Sequence, residues 1–174
     1  MRQRWTWTFA FLLTVAGAAV YVGNVQATPG LGFSATTLAL GRLGNVDVFN
    51  HAFAAGRPRR LKDLWLSSQK TKGPSDLYVQ SNVWEPGGTT GWHTHPGHSL
   101  IIVTAGTVTV YEGDDSSCTP HAYTTGMAFV DEGGDHVHVI QNEDSVEART
   151  VAVQLIPAGA TRRIDAPANL ACPF

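Results

Sequence analysis

From residue 77 onward the chain is a succession of short β-rich runs, at 77–84, 99–105, 107–112, 121–124, 127–130, 136–141 and 147–156, separated by glycine-containing turns. Branched and aromatic residues suit a pleated, half-buried surface. Many short strands with such punctuation build a sandwich or barrel rather than a fold of alternating strands and helices. The Ala105-Gly106 step between two apolar runs predicts a tight hairpin, and the stretch from Glu112 to Ser117 a longer polar loop. The class predicted is all-β.

Two pairs of histidines interrupt this pattern. His93 and His95 stand in Gly87-Gly88-Thr89-Thr90-Gly91-Trp92-His93-Thr94-His95-Pro96-Gly97-His98, and His136 and His138 in Gly133-Gly134-Asp135-His136-Val137-His138-Val139-Ile140. In an extended chain, side chains two residues apart leave the same face. Each pair can therefore grip one ion, and imidazole is a favoured ligand of transition metals. Four imidazoles on two strands imply a metal site inside a barrel. The same parity carries Gly97, Ser99, Ile101 and Val103 to the interior and turns His98 and Leu100 outward. A bulge at Pro96-Gly97 would re-aim His98 inward.

The segment from Gly87 to Gly106 resembles the first motif of the cupin superfamily: a glycine, five residues, His-x-His, a glutamate a few residues on, and a closing glycine. The segment from Gly126 to Asn142 resembles the second, with His138 and Asn142 at the family's separation. Ser99 occupies the glutamate slot, Glu132 replaces the turn proline, and one extra residue precedes His138. The resemblance covers roughly residues 78–157 and is to a small single-domain cupin with a type-2 conserved barrel. It implies a double-stranded β-helix, or jelly-roll barrel, holding one divalent transition metal (Fe, Mn, Zn or Ni) on His93, His95 and His138. His136 is then a fourth ligand, a rim residue that meets substrate, or a structural imidazole. Without the glutamate, a three-histidine site keeps the full dipositive charge of its ion and favours anionic ligands.

Gln80, Asn82 and Trp84 on one face of the preceding strand, and Gln154 on a late strand, are candidates for substrate contact or for completing the shell. Glu132 and Asp135 lie in the turn near the expected barrel mouth. His51 and His121 are expected at the surface.

Residues 1–27 read as a secretory leader: Arg2 and Arg4 form a basic start, an apolar stretch follows, and Val25-Gln26-Ala27 makes a small-residue cleavage site. Membrane contact arises only if this segment stays uncleaved. Residues 28–76 are an N-terminal arm with edge strands at 34–40 and 45–50, a helical turn at 61–66 and a solvated basic cluster, Arg57-Pro58-Arg59-Arg60. Those strands add to a sheet edge or cross to a second copy, which suits a homodimer. Residues 77–174 are the barrel. Cys118 and Cys172, the two cysteines, both fall in the exported part, where an oxidising compartment invites a disulfide.

The formal net charge is -2, and loss of Arg2 and Arg4 with the leader makes it -4, so there is no nucleic-acid footprint. A periplasmic or secreted protein with a small-molecule ligand is expected. Three functions stay open: a metal-dependent oxygenase or isomerase acting on a small oxygenated molecule, a periplasmic barrel that binds or senses a small ligand without turnover, and a barrel whose histidines form a hydrogen-bonded structural cluster.

Overall fold

The structure, a computed structural model, describes residues 29–53 and 60–174. The expected leader and residues 57–59 of the basic cluster lie outside the described residues. Twelve strands follow in order: β1 Leu31–Leu43, β2 Asp47–Phe53, β3 Leu64–Lys70, β4 Ser75–Thr89, β5 His93–Thr94, β6 Ser99–Ala105, β7 Thr107–Glu112, β8 His121–Thr124, β9 Ala128–Asp131, β10 His138–Gln141, β11 Ala148–Pro157 and β12 Ile164–Asp165.

β4 is the spine, paired antiparallel with β1 on one side and β11 on the other. β11 passes the sheet on to β6, and β6 to β9. The opposite wall is built on β10, which pairs with β5 and β7 and meets β4 at Gln141 and Thr89. β8 extends it beyond β7, and β12 beyond β5. The sheet thus curls into the nearly closed double-stranded β-helix that the sequence predicted.

Alternation explains why it closes. Along β6, Ser99, Ile101 and Val103 are buried while Leu100 and Ile102 are exposed, the parity of a strand with one face in the core. Trp84, Val103, Val108, Val110, Ile140 and Ala148 fill one end, with Phe33, Tyr123 and Phe129 against them. Trp92, Tyr111, Val139 and Cys172 make a second cluster on the far side of β10. Cys172 belongs to the disulfide Cys118–Cys172, which joins the loop after β7 to the C-terminal tail.

The arm departs from expectation at one point. The helical turn predicted at 61–66 is only a 3-10 turn, Leu61–Asp63. Leu64 to Leu66 instead enter β3, which pairs in register with β2 as a separate two-stranded sheet. Cross-strand pairing here overrides a weak local helical preference. Among the described residues no helix is long and apolar enough to cross a membrane.

Candidate metal centre

His93 on β5 stands directly opposite His138 on β10. His95 lies just past the end of β5. One ring nitrogen from each of the three lies within 4.8 Å of the others. Ring centroids are 4.5 Å apart for His93 and His138, 4.8 Å for His93 and His95, and 5.6 Å for His95 and His138.

The backbone fixes which nitrogen each ring presents. His93 Nδ1 donates to the Gly91 carbonyl at 2.8 Å, and His95 Nδ1 to the Arg162 carbonyl at 2.5 Å. A carbonyl can only accept, so each Nδ1 carries a hydrogen and each Nε2 is the nitrogen turned toward the centre. His138 turns Nδ1 toward Asp131 Oδ1 at 3.5 Å. Its Nε2 is buried without a hydrogen-bond partner. Burial, reinforced by the neighbouring His138, His95 and Arg163, drives the His93 imidazole down to about 2. Burial also lowers His138, opposed in part by the Asp131 carboxylate. Three imidazoles with converging ring nitrogens, that of His138 buried without a partner, and outer nitrogens facing oxygen atoms make the kind of donor set that a divalent transition metal takes.

A carboxylate lies in this centre after all. It belongs to Asp131, the cross-strand partner of Ser99 on β9, which lies beside the three histidines. Asp131 is 7 % exposed, and its Oδ2 lies 3.3 Å from His95 Nε2. A relay of donors runs toward it. Arg162 Nε donates to Gln154 Oε1 at 3.0 Å, Gln154 Nε2 to Ser99 Oγ at 3.3 Å, and Ser99 Oγ to Asp131 Oδ2 at 3.2 Å. Gly133 N donates to the other oxygen, Oδ1, at 3.1 Å.

Main chain welds this corner together. Gly134 N donates to the His95 carbonyl at 2.6 Å. Gly133, at φ +67°, lies so close to the Gly97 backbone that a Cβ there would overlap the Gly97 carbonyl oxygen.

The histidines open on a cavity of about 180 Å³ that Gln80, Asn82, Trp84, Ser99 and Gln154 also line. Ile101, Ile140 and Phe33 supply apolar wall, and Arg162 and Arg163 supply positive charge. The Trp84 indole N–H is buried without an acceptor.

The other sequence candidates lie elsewhere. His98 faces a shallow groove with Lys70, Pro74 and Leu155, as parity predicted. His136 does not share a strand face with His138, because β10 begins only at His138. It is exposed, 3.1 Å from Glu132, on a cleft that Glu112, Asp114, Asp131 and His138 also line. His51 and His121 are exposed.

Asp131, Arg162 and Arg163 are the residues that sequence reasoning missed. Asp131 ends a strand whose register to Ser99 was the one available signal. The arginines sit outside any β-rich run, in the segment after β11.

No curated protein matches the chain. Among solved structures it is similar to oxalate oxidase, at 22 % identity over 47 % of this chain and 46 % of that one, with a TM-score of 0.40. It is also similar to an uncharacterized conserved protein with a double-stranded β-helix domain from Klebsiella pneumoniae subsp. pneumoniae MGH 78578, at 20 % identity over 52 % and 75 % of the two chains, TM-score 0.44. A third is the polyketide cyclase RemF from Streptomyces resistomycificus, at 17 % identity over 53 % and 63 %, TM-score 0.44. The chain spans less than half the length of the oxalate oxidase chains it resembles. Residues 83–154, the stretch that carries the three histidines, match the cupin domain family.

Proposed function

We propose that this chain binds one divalent transition metal through His93, His95 and His138 and acts as an enzyme, of oxygenase or isomerase type, on a small oxygenated anion. The observation that carries the reading is the unpartnered, buried Nε2 of His138, facing two further imidazoles whose hydrogens the backbone has drawn to the far nitrogen. A buried acceptor left bare costs about 1–3 kcal/mol, a cost that a bound cation removes.

A bound divalent ion supplies Lewis-acid chemistry, and a redox-active one electron transfer as well. The chain's own residues do the rest. Neutral His93 leaves its lone pair free across the physiological pH range. Arg162 and Arg163 offset the charge of an anion entering the cavity. Gln80, Asn82 and the Trp84 indole N–H offer hydrogen bonds to its oxygens, while Phe33, Ile101 and Ile140 exclude water.

Residues 1–27 act in this reading as a cleaved leader, sending the protein to the periplasm or out of the cell. The disulfide Cys118–Cys172 supports an oxidising destination. The β2–β3 hairpin exposes Phe49, Trp65 and Leu66, apolar surface suited to a second copy of the chain.

The test is elemental analysis of residues 28–174, purified without a histidine tag, beside His93→Ala and His138→Ala. About one equivalent of a transition metal, lost in both variants while circular dichroism is preserved, is the expected result. A native protein that holds no metal after reloading would sink the reading and leave a ligand-binding or structural barrel.

A further inference from the structure

The relation between His95 and Asp131 is chemically unfinished. His95 Nδ1 is committed to the Arg162 carbonyl, so Nε2 is the nitrogen that faces inward. Asp131 Oδ2 faces it at 3.3 Å and already receives the Ser99 hydroxyl hydrogen. What joins the two atoms at that distance is either a hydrogen on Nε2 or a cation held by both. Two donors bound to one ion at about 2.0–2.2 Å, roughly at right angles or tetrahedrally, lie about 2.8–3.6 Å apart.

We propose that Asp131 supplies, from β9, the carboxylate ligand that this barrel lacks at Ser99. The inference rests on the metal-binding reading above and assigns the ion one more protein ligand. The family's glutamate would leave from the strand of Ser99, whereas here the carboxylate comes from the neighbouring strand. Ser99 changes role accordingly, donating to Asp131 at 3.2 Å. The relay Arg162 to Gln154 to Ser99 ends on Oδ2, and the Gly133 N–H fixes Oδ1, so the side chain is held from both sides. A shell with one carboxylate leaves the site one unit less positive than three histidines alone, which tempers its preference for anions.

Cobalt(II) is the probe, read by equilibrium competition and by its visible ligand-field spectrum. The proteins are residues 28–174 as wild type, Asp131→Asn, Asp131→Ala and the exchange Ser99→Glu with Asp131→Ser, each checked for fold by circular dichroism. The expected result is binding of about one equivalent by wild type and a loss of at least about 10- to 100-fold in affinity, with an altered spectrum, in both single variants. The exchange should restore affinity and a carboxylate-type spectrum. Unchanged affinity and spectrum in Asp131→Asn and Asp131→Ala would overturn the proposal. So would a weakened exchange variant resembling Asp131→Ala, which would mean that Asp131 only steadies His138. A wild type that binds no cobalt brings down the metal-binding reading itself, a result distinct from either.

Discussion

His95 and Arg162 are joined twice. The Arg162 carbonyl takes the Nδ1 hydrogen of His95 at 2.5 Å. The Arg162 guanidinium starts the chain through Gln154 and Ser99 to Asp131, whose other neighbour is His95 Nε2. The same guanidinium lies 4.2 Å above the Tyr78 ring centroid. One residue thereby orients a histidine with its backbone and sets the polar wall of the cavity with its side chain.

Arg162→Gln separates the two roles. The backbone hydrogen bond to His95 survives and the charge goes. With a charge-assisted contact contributing about 1.5–3 kcal/mol, a small carboxylate added to the metal-loaded protein should bind at least about tenfold more weakly. Metal content should stay at wild-type level. Thermal-shift titration with oxalate or acetate reads the first effect and elemental analysis the second.

Metal-free protein should lose stability as the pH falls. The folded-state value of His93 lies near 2, below the usual 6.5, so between those limits the unfolded chain binds the extra proton. The stabilising contribution is complete above about 6.5 and is lost progressively below it, at up to about 1.4 kcal/mol per pH unit. Urea midpoints from pH 7.5 to 4.5 in the presence of a chelator should trace that slope. His93→Gln should flatten it.

Asn142 should prove to be architecture. Its Nδ2 faces the carbonyls of Trp84, Glu85 and Val146 at 3.2, 3.1 and 2.7 Å, and its Oδ1 accepts from Asp144 N at 3.1 Å. Asn142 is 1 % exposed and does not itself line the cavity. Asn142→Ala should cost about 2–4 kcal/mol by leaving buried carbonyls bare, with metal stoichiometry unchanged in the folded fraction. Denaturant melts and metal analysis of the same samples decide it.

Reducing the disulfide should weaken the fold without emptying the site. Cys118 and Cys172 are 54 positions apart, and closing such a loop stabilises by about 3–4 kcal/mol in the chain-entropy treatment. The paired variant Cys118→Ser with Cys172→Ser should show a lower denaturant midpoint by that measure. The bridge packs with Trp92 and Tyr111, on the far side of β10 from the cavity.

The barrel was legible in the sequence because strand parity is local. Ser99, Ile101 and Val103 alternate inward as their spacing predicts, and the strands at 99–105, 107–112 and 121–124 keep the predicted bounds. His93, His95 and His138 converge as expected, and Gln80, Asn82, Trp84 and Gln154 line the same cavity. Parity failed for His136, since a glycine-rich turn breaks the strand before it can impose an alternation. Asp131 could not be found by local reasoning, because what brings it to His95 is the register of β9 against β6. Arg162 and Arg163 enter from a segment with no periodicity to read.

The contact between the Gly97 and Gly133 backbones brings polypeptide against polypeptide, with no side chain to act as a spacer. The gap between the histidine segment and the aspartate turn therefore cannot be tuned by swapping rotamers. Its width is set by main chain on both sides. The spacing of those two segments is thus written in two positions that offer no side chain at all.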